Sequence, residues 1–427
     1  MNFKKCIFIF IITNVFITNI LAQAILESTA ANIGSVRLTI PNIVLSYPIM
    51  DLGSAGGLDL SFDDRDNDFK NYNYRIQLCN ADWTRSEIDE MEYINGFATD
   101  QFRNYKNSAR TYRSYVHYQI NLPNSMSQIK RSGNYVVKVY VDGAEDKPAF
   151  VRRFMVVEPR VRISSKFPVP AGAGKNRTHQ EIDFTVDYKG TVIRNPDREV
   201  QVTVLQNGRW DNALTNLKPN FQVENQLVYD YQDKIVFPAG KEFRRLDLTS
   251  VRNPCEGVHH LEGADDGIEA ICFRNNPRRE NGYDALLDAN GKSVIKVQQF
   301  DDWDAEADYV NTHFALATAA ELNGADVYVF GGLTNWACND QNKMQYNTST
   351  HDYELTLPLK QGFHNYMYAV KNTVTDDPAL RNEINTSRLE GDYFETENDY
   401  IIVVYYKPWG DRCDRIIAAQ TINSLKP

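Results

Sequence analysis

Neighbouring carboxylates are the first candidates for chemistry in this sequence. Adjacent pairs such as Asp63-Asp64, Asp265-Asp266 and Asp301-Asp302 have the residue types of a general acid–base pair. Adjacent residues of a strand point to opposite faces, so a neighbouring pair does not form a catalytic dyad by itself. Asp also favours turns, because its side chain bonds its own backbone. We therefore expect no catalytic residue among these acids.

The same acids raise the question of metal binding. Alternate Asp residues in the 61–68 stretch would suit a hard cation such as calcium, but the spacing is not that of an EF-hand loop. His259 and His260 are adjacent, and neighbouring His rarely hold one ion without a third ligand. The sequence therefore predicts neither a metal site nor a cofactor.

Cysteine is the remaining reactive side chain, and its positions are scattered. Five Cys follow residue 24, an odd number that lacks the density of a disulfide framework. Cys255 and Cys272 are close enough in sequence to close one loop in an oxidising compartment, which makes them the candidate disulfide. No H-E-x-x-H, G-x-S-x-G, P-loop or G-x-G-x-x-G motif occurs. The sequence does not indicate an enzyme.

Tryptophans beside turn-forming residues are the most informative side chains. Each of the five adjoins an Asp, Asn or Gly. An indole in such a place either docks its loop onto a sheet edge or anchors a partner or a sugar ring. The candidate partner anchors are Trp83, Trp210, Trp303, Trp336 and Trp409.

Composition and charge exclude several classes of protein. The 427 residues predict about two to four domains, and 42% hydrophobic residues provide for sizeable cores. Acids outnumber bases 56 to 46, whereas nucleic-acid binders are usually basic. Beyond the N-terminal segment no long apolar run follows. We expect neither nucleic-acid binding nor a membrane span in the mature protein.

The N-terminal segment has the layout of a secretory signal peptide. Lys4 and Lys5 precede a mostly apolar stretch over residues 7–21, and small residues for a signal peptidase follow. No basic stop-transfer cluster comes after it, which disfavours a membrane anchor. We predict that residues 1–24 are a cleaved signal peptide.

Period-two alternation of apolar residues dominates the rest of the chain and is typical of strands with one buried face. The clearest cases are 72–78, 135–141, 182–188, 200–204 and 353–359. Residues 401–406 are apolar on both faces, which predicts a central strand covered on both sides. Helical periodicity is absent from every long stretch. The sequence predicts an all-β protein of tandem immunoglobulin-like sandwiches.

Changes in this pattern divide the chain into three units. A Pro/Gly/Ala-rich stretch at 168–174 follows the first unit, which we predict to span 25–160. The middle sandwich is predicted over 161–307, with a long irregular excursion at about 253–295. The last sandwich is predicted over 308–427. Its expected strands are 309–316, 327–330, 353–359, 364–370 and 400–406.

The last unit contains a strand, a G-x-x-x-x-W turn, a strand ending L-x-L and then G-x-x-x-Y-x-Y. The residues that fit are Gly331, Trp336, Leu355, Leu357, Gly362, Tyr366 and Tyr368. This pattern resembles the early-set immunoglobulin-like modules that bind glucans in starch and glycogen enzymes. The resemblance implies that fold for the last unit, and it leaves glucan binding as an alternative function.

Longer strings carry a more specific resemblance. They are CNADWTRSEIDEMEYINGF (79–97), SYVHYQINLPN (114–124), SGNYVVKVYVDG (132–143), TVLQNGRWDNA (203–213), FPAGKEFRRLDLTSVR (237–252) and GDYFETENDYIIVVYYKPWGDRCDRIIAAQTINS (391–424). In this order they resemble the type IX secretion system plug protein family, from about residue 47 to 424. The 253–295 region, with its two cysteines, is less typical of the family.

The resemblance implies a non-enzymatic periplasmic protein. Such plugs seat against the periplasmic mouth of a very large outer-membrane β-barrel translocon and seal it while no cargo is in transit. We therefore expect this barrel as the partner, and we expect no catalytic residue, cofactor or small-molecule ligand. A periplasmic or secreted glucan-binding protein, built on the last unit, is the alternative.

Overall fold

Strands account for nearly all the regular structure. The computed structural model describes residues 23–265, 267–375, 377, 381 and 383–426, so the predicted signal peptide lies outside the described residues apart from its last two positions. Strands make up 45% and helices 6%, which confirms the predicted all-β class. The described α-helices and 3₁₀ helices are single turns: Glu90–Tyr93, Pro196–Glu199, Trp303–Glu306, Ser387–Glu390, Lys175–Arg177 and Gly332–Thr334.

A ten-stranded sheet, here called the central sheet, runs through two of the sandwiches. Its strand order is Leu214–Leu217, Val200–Gln206, Asp399–Tyr406, Arg415–Asn423, Phe150–Val157, Gly133–Val141, Tyr72–Cys79 and Thr99–Gln101, with Ser28–Thr29 and Ile49–Asp51 added along Phe150–Val157. The strand Arg415–Asn423 pairs antiparallel with Asp399–Tyr406 and parallel with Phe150–Val157. Segments far apart in the sequence are therefore hydrogen-bonded neighbours.

The first sandwich uses one half of the central sheet. A second sheet packs on it, in the order Ile33–Thr39, Leu58–Asp64, Val116–Leu122 and Asn104–Asn107. Phe62, Tyr72 and Tyr118 are fully buried between these sheets, and Phe62 lies 5.0 Å from Tyr72 and 5.1 Å from Tyr118 between ring centroids. A two-stranded ladder completes this unit, formed by Ile94–Gly96 and Ser127–Ile129.

The second sandwich uses the other half of the central sheet. Its covering sheet has the order Arg162–Lys166, Asp183–Asp187, Gln226–Tyr229 and Phe221–Val223. Phe184 stacks on Tyr229 at a centroid distance of 4.4 Å, and both belong to a core with Val202 and Val404 of the central sheet. A separate two-stranded ladder is formed by His179–Glu181 and Val236–Pro238.

The third sandwich has two five-stranded sheets of its own. One sheet contains Arg244–Asp247, Gly362–Asn372, Ser293–Ile295, Ala325–Phe330 and Ile384–Asn385. The other has the order Val258–Ala264, Gly267–Cys272, Tyr309–Ala317, Asp352–Lys360 and Gln345–Asn347. Phe314 and Tyr366 meet edge to face between the sheets, with ring centroids 5.1 Å apart.

Two segments pair differently from the sequence expectation. Asp399–Tyr406 was expected among the strands of the last unit, but it lies inside the central sheet. It is buried on both faces, as predicted, because the second core covers one face and residues of the N-terminal segment and Trp210 cover the other. The 253–295 region was expected to be irregular, yet it supplies strands to both sheets of the third sandwich. The alternation of apolar residues identifies a strand but does not show which strand pairs with it. The limits of the three predicted units stay predictions.

A buried ionic cluster joins the first sandwich to the third. The Asp63 carboxylate accepts hydrogen bonds from Lys360 Nζ, Tyr309 OH and His117 Nδ1, each at 2.7 Å. Because a carboxylate only accepts, His117 donates through Nδ1. All four side chains are buried, and we call them the Asp63 cluster. Burial alone would raise the pKa of Asp63, but the Lys360 ammonium and His117 hold it below its usual value.

Removal of the buried cation should destabilise the protein much more than removal of an exposed one. Lys360→Met leaves Asp63 without its cation, and we expect the free energy of unfolding to fall by about 3–5 kcal/mol. Lys106, exposed and 2.9 Å from Asp302, is the matched control, and Lys106→Met should cost less than about 1 kcal/mol. Urea denaturation of both variants measures the difference. Equal losses would contradict a structural role for the Asp63 cluster.

Candidate partner-binding surface

Two of the candidate tryptophans dock loops onto the central sheet. Trp83 is buried, and its ring meets Trp210 edge to face with centroids 4.8 Å apart. The Arg153 guanidinium lies 4.5 Å from the centroid of Trp83 and 5.6 Å from that of Trp210. Trp83 has a φ of 65°, a left-handed conformation that bulky residues rarely adopt. The packing of its ring holds this strained turn in place.

Trp336 packs within the third sandwich. Its ring centroid lies 5.3 Å from that of Phe330 and 5.8 Å from that of Phe243, and the Arg209 guanidinium lies 5.5 Å away. Gly291 is in van der Waals contact with the indole, and a Cβ at that position would overlap the ring. The indole is half-buried, and these contacts cover part of the surface that stacking on a sugar would need.

The remaining two tryptophans are exposed, to different degrees. Trp303 is 37% exposed, and its Nε1 donates to the Phe300 carbonyl at 2.8 Å. Trp409 is 94% exposed, in the turn between Asp399–Tyr406 and Arg415–Asn423. An indole has 150–250 Å² of surface to bury on a partner, about the most that any side chain offers. Of the five candidates, Trp409 therefore has the largest exposed surface available for contact with a partner.

The Trp409 turn is fixed to the first sandwich by two ion pairs. Arg131 Nη2 donates to Asp411 at 2.9 Å, and Arg412 pairs with Glu92. Glu92 lies in the helical turn Glu90–Tyr93, which also carries Met91 with 81% of its surface exposed. The pairs hold a second exposed apolar side chain close to the turn.

The same turn is fixed to the second sandwich by two hydrogen bonds. The Lys407 amide donates to the Glu199 carbonyl at 2.8 Å. The Tyr406 hydroxyl donates to the carbonyl of Val192 at 2.9 Å, and the Val192 side chain is 74% exposed. Two segments that each carry an exposed apolar side chain are therefore bonded to the hairpin that carries Trp409. We call Met91, Val192 and Trp409 the Trp409 tip.

Sequence reasoning included Trp409 but missed the other two residues of the tip. Single apolar residues are common on protein surfaces, so the sequence does not distinguish Met91 or Val192 from core residues. What distinguishes them is the fold, which brings both to the turn of one hairpin.

The two cysteines of the candidate disulfide are free thiols in the structure. Cys272 is buried in a strand opposite Val258, whereas Cys255 is half-buried near the carbonyl of Asn253. Burial raises the pKa of the Cys272 thiol to about 12, which keeps it protonated and unreactive at neutral pH. Their pairing in an oxidising compartment stays a prediction.

The residues considered for metal chemistry are dispersed. Asp63 belongs to the Asp63 cluster, and Asp64 accepts from Lys70 Nζ at 2.8 Å and from Tyr72 OH at 2.9 Å. His260 contacts Glu262 at 2.7 Å on the surface. Among the described residues, no group of three or more His, Cys, Asp or Glu is placed to hold a metal ion.

Across the same residues, no helix has the length and apolarity needed to cross a bilayer.

Comparison with known proteins assigns the family. Residues 33–158, which lie in the first sandwich, match the family model of the type 9 secretion system plug protein, first domain. The crystal structure of a hypothetical protein from Parabacteroides merdae is 32% identical, with a TM-score of 0.89, and the match covers 94% of this chain and 100% of that chain. The chain belongs to the type IX secretion system plug family. This confirms the resemblance noted in the sequence.

Plug-family proteins are non-enzymatic structural components associated with type IX secretion. Two further solved structures give weak similarities. The Pseudomonas fluorescens alkylpurine DNA glycosylase AlkC, bound to DNA with an abasic-site analogue, is 14% identical over 30% of each chain, with a TM-score of 0.16. The N-terminal region of an enterococcal surface protein is 7% identical over 95% of this chain and 97% of that chain, with a TM-score of 0.20. Such low scores carry no structural argument. No curated protein matches this chain.

The exposed and the buried tryptophans should respond differently to truncation. Trp409→Ala removes no packing, so we expect the free energy of unfolding to change by less than about 0.5 kcal/mol. Trp83→Ala leaves a cavity beside Trp210 and should cost about 3–5 kcal/mol. Chemical denaturation of the two variants checks both values. A large loss in Trp409→Ala would mean that this indole is packed and is no free anchor.

Proposed function

We propose that this chain is the plug subunit of a type IX translocon, and that it seals the periplasmic mouth of a giant outer-membrane barrel when no cargo is in transit. The observation that carries the proposal is family membership. The proposal includes a periplasmic location, which the predicted signal peptide supports.

The mechanical properties of the fold support this role. A pore wide enough for folded proteins leaks solutes unless a body of similar width closes it. The first and second sandwiches share the central sheet, and the third is joined to the first through the Asp63 cluster. A rigid body of three sandwiches can act as a stopper by shape, without any chemical step.

The Trp409 tip is the surface that we propose to contact the barrel. A seal that must open again requires a modest affinity between the chain and the barrel. A few apolar anchor residues surrounded by a polar rim provide such an affinity. Trp409 and Met91 supply the anchors, and the Arg412–Glu92 pair lies between the segments that carry them. Since the backbone segments that carry these side chains are bonded to each other, docking costs little ordering of the backbone.

The glucan-binding alternative has no observation in its favour. It would use Trp336 and neighbouring aromatic residues, and the Trp336 indole is half-buried against Phe330 and Phe243. The early-set resemblance of the last unit therefore supports its fold rather than sugar binding.

Affinity purification tests the partner and the surface together. We expect the tagged protein, purified from detergent-solubilised envelopes, to recover an outer-membrane protein several times its own mass. Trp409→Ala should reduce that recovery at least tenfold, since truncation of an anchor residue typically costs about 2 kcal/mol or more of binding energy.

Phe221→Ala is the matched control, because Phe221 is also a large exposed aromatic side chain but lies on an edge strand of the second sandwich. It should leave recovery unchanged. Failure of the unmodified protein to recover a barrel would count against the plug role. Normal recovery with Trp409→Ala would count only against the Trp409 tip as the contact surface.

A further inference from the structure

A cleft lies where the N-terminal segment meets the third sandwich. Its volume is about 430 Å³, which is within the range of small-molecule sites. The walls come from positions within 27–37, 332–342 and 356–364. Exposed residues such as Ser28 and Gln341 line it, so it opens to solvent.

Positive charge is concentrated on the walls of this cleft. Its charged lining residues are Arg37, Arg65, Arg152, Lys360 and Glu27. Arg37 pairs with Asp304, and Lys360 pairs with Asp63. Among the described residues, Arg65 and Arg152 have no carboxylate within ion-pair distance. Glu27, on the same wall, is near enough to Arg152 to interact with it electrostatically but forms no ion pair with it, so the cleft keeps an excess of guanidinium charge.

Arg152 is fixed in the wall by backbone and hydroxyl groups. It is buried, and it donates to the Ser28 carbonyl at 2.9 Å and to Thr29 Oγ1 at 2.8 Å. Burial lowers the pKa of its guanidinium, because charge is costly to remove from water. An anion close to this group would offset the cost.

Arg65 and Arg37 have hydrogen-bond donors to spare. Arg65 bonds the Ala31 carbonyl through one nitrogen and lies 5.5 Å over the Tyr309 ring. The Nε atoms of Arg65 and Arg37 are both buried without an acceptor. Buried donors without partners are rare in proteins and cost about 1–3 kcal/mol each. Because these Nε atoms are not accessible to solvent, an anion in the open cleft would have to meet the outer nitrogens of the guanidinium groups.

The remainder of the wall is mixed, with hydroxyl and amide side chains such as Thr334, Asn335 and Asn339 beside apolar ones. Its apolar residues include Ile33, Val36, Leu333, Leu357 and Leu359. A small inorganic ion would leave these side chains facing water. The combination of guanidinium groups with walls that are partly apolar fits a molecule that carries both a charged group and an apolar body.

We propose that this cleft binds an organic anion, a carboxylate or a phosphate joined to an apolar body. The proposal does not depend on the plug role, and it departs from the sequence expectation of no small-molecule ligand. The bound anion lies between the N-terminal segment and the third sandwich. It therefore strengthens the contact between the first and third sandwiches and raises the stability of the whole chain.

Calorimetric titration of the whole protein tests this proposal with three probes of equal chain length. Octanoate and octyl phosphate carry the two candidate headgroups, and 1-octanol carries none. We expect saturable one-to-one binding of at least one of the two anions, with a matching rise in Tm, and no saturable binding of octanol. The two anions together show which headgroup the cleft prefers. Equal affinity for octanol, or no binding of either anion, would overturn the proposal.

Two variants locate the binding. Arg65→Gln removes one charge-assisted contact and should weaken binding of the anion about tenfold. Ala337→Trp fills the cleft without removing a charge and should abolish binding, so the proposal can still be tested if Arg65→Gln fails to fold. Lys189→Gln, a change at an exposed cation of the second sandwich, is the control and should bind normally. Wild-type affinity in folded Arg65→Gln and Ala337→Trp would show that the anion binds elsewhere.

Discussion

One hydrogen-bonded junction determines the architecture of this protein. The strand Arg415–Asn423 pairs with Asp399–Tyr406 on one side and meets the end of Phe150–Val157 on the other. The amides of Glu158 and Arg160 donate to the carbonyls of Ile416 and Ile417 at 2.9 and 2.8 Å. Two sandwiches consequently share one sheet rather than a flexible linker. They cannot turn against each other without breaking these backbone hydrogen bonds, and each broken bond has a cost.

The third sandwich is attached by a different kind of interaction. Its contact with the first sandwich includes the Asp63 cluster, whose buried charges are stable only when all the partners are in place. Apolar packing tolerates small displacements, whereas this cluster requires one geometry. The junction in the central sheet and the ionic cluster together define the relative position of three sandwiches, which the proposed stopper needs.

Much of the fold follows from local sequence patterns, but the connections between strands do not. Alternation predicted the strands observed as Tyr72–Cys79 and Asp352–Lys360, and the double-sided apolar pattern correctly placed 401–406 in the middle of a sheet. Its neighbour Val200–Gln206 lies far away in sequence, and no periodicity encodes such a pairing.

The exposure of individual side chains could not be predicted from local sequence either. The five tryptophans have similar sequence contexts, and only the fold shows that Trp83 is buried and Trp409 exposed.

The pairing of the central sheet also imposes an order on folding. During synthesis, Phe150–Val157 and Val200–Gln206 emerge long before Asp399–Tyr406 and Arg415–Asn423, the strands that lie between them in the finished sheet. The free edge of Phe150–Val157 is largely covered by Ser28–Thr29 and Ile49–Asp51, which are made before it. Val200–Gln206, in contrast, keeps one edge unpaired until Asp399–Tyr406 arrives, and an unpaired edge is a template for association with other chains. The second sandwich therefore cannot complete its half of the central sheet until synthesis has nearly finished.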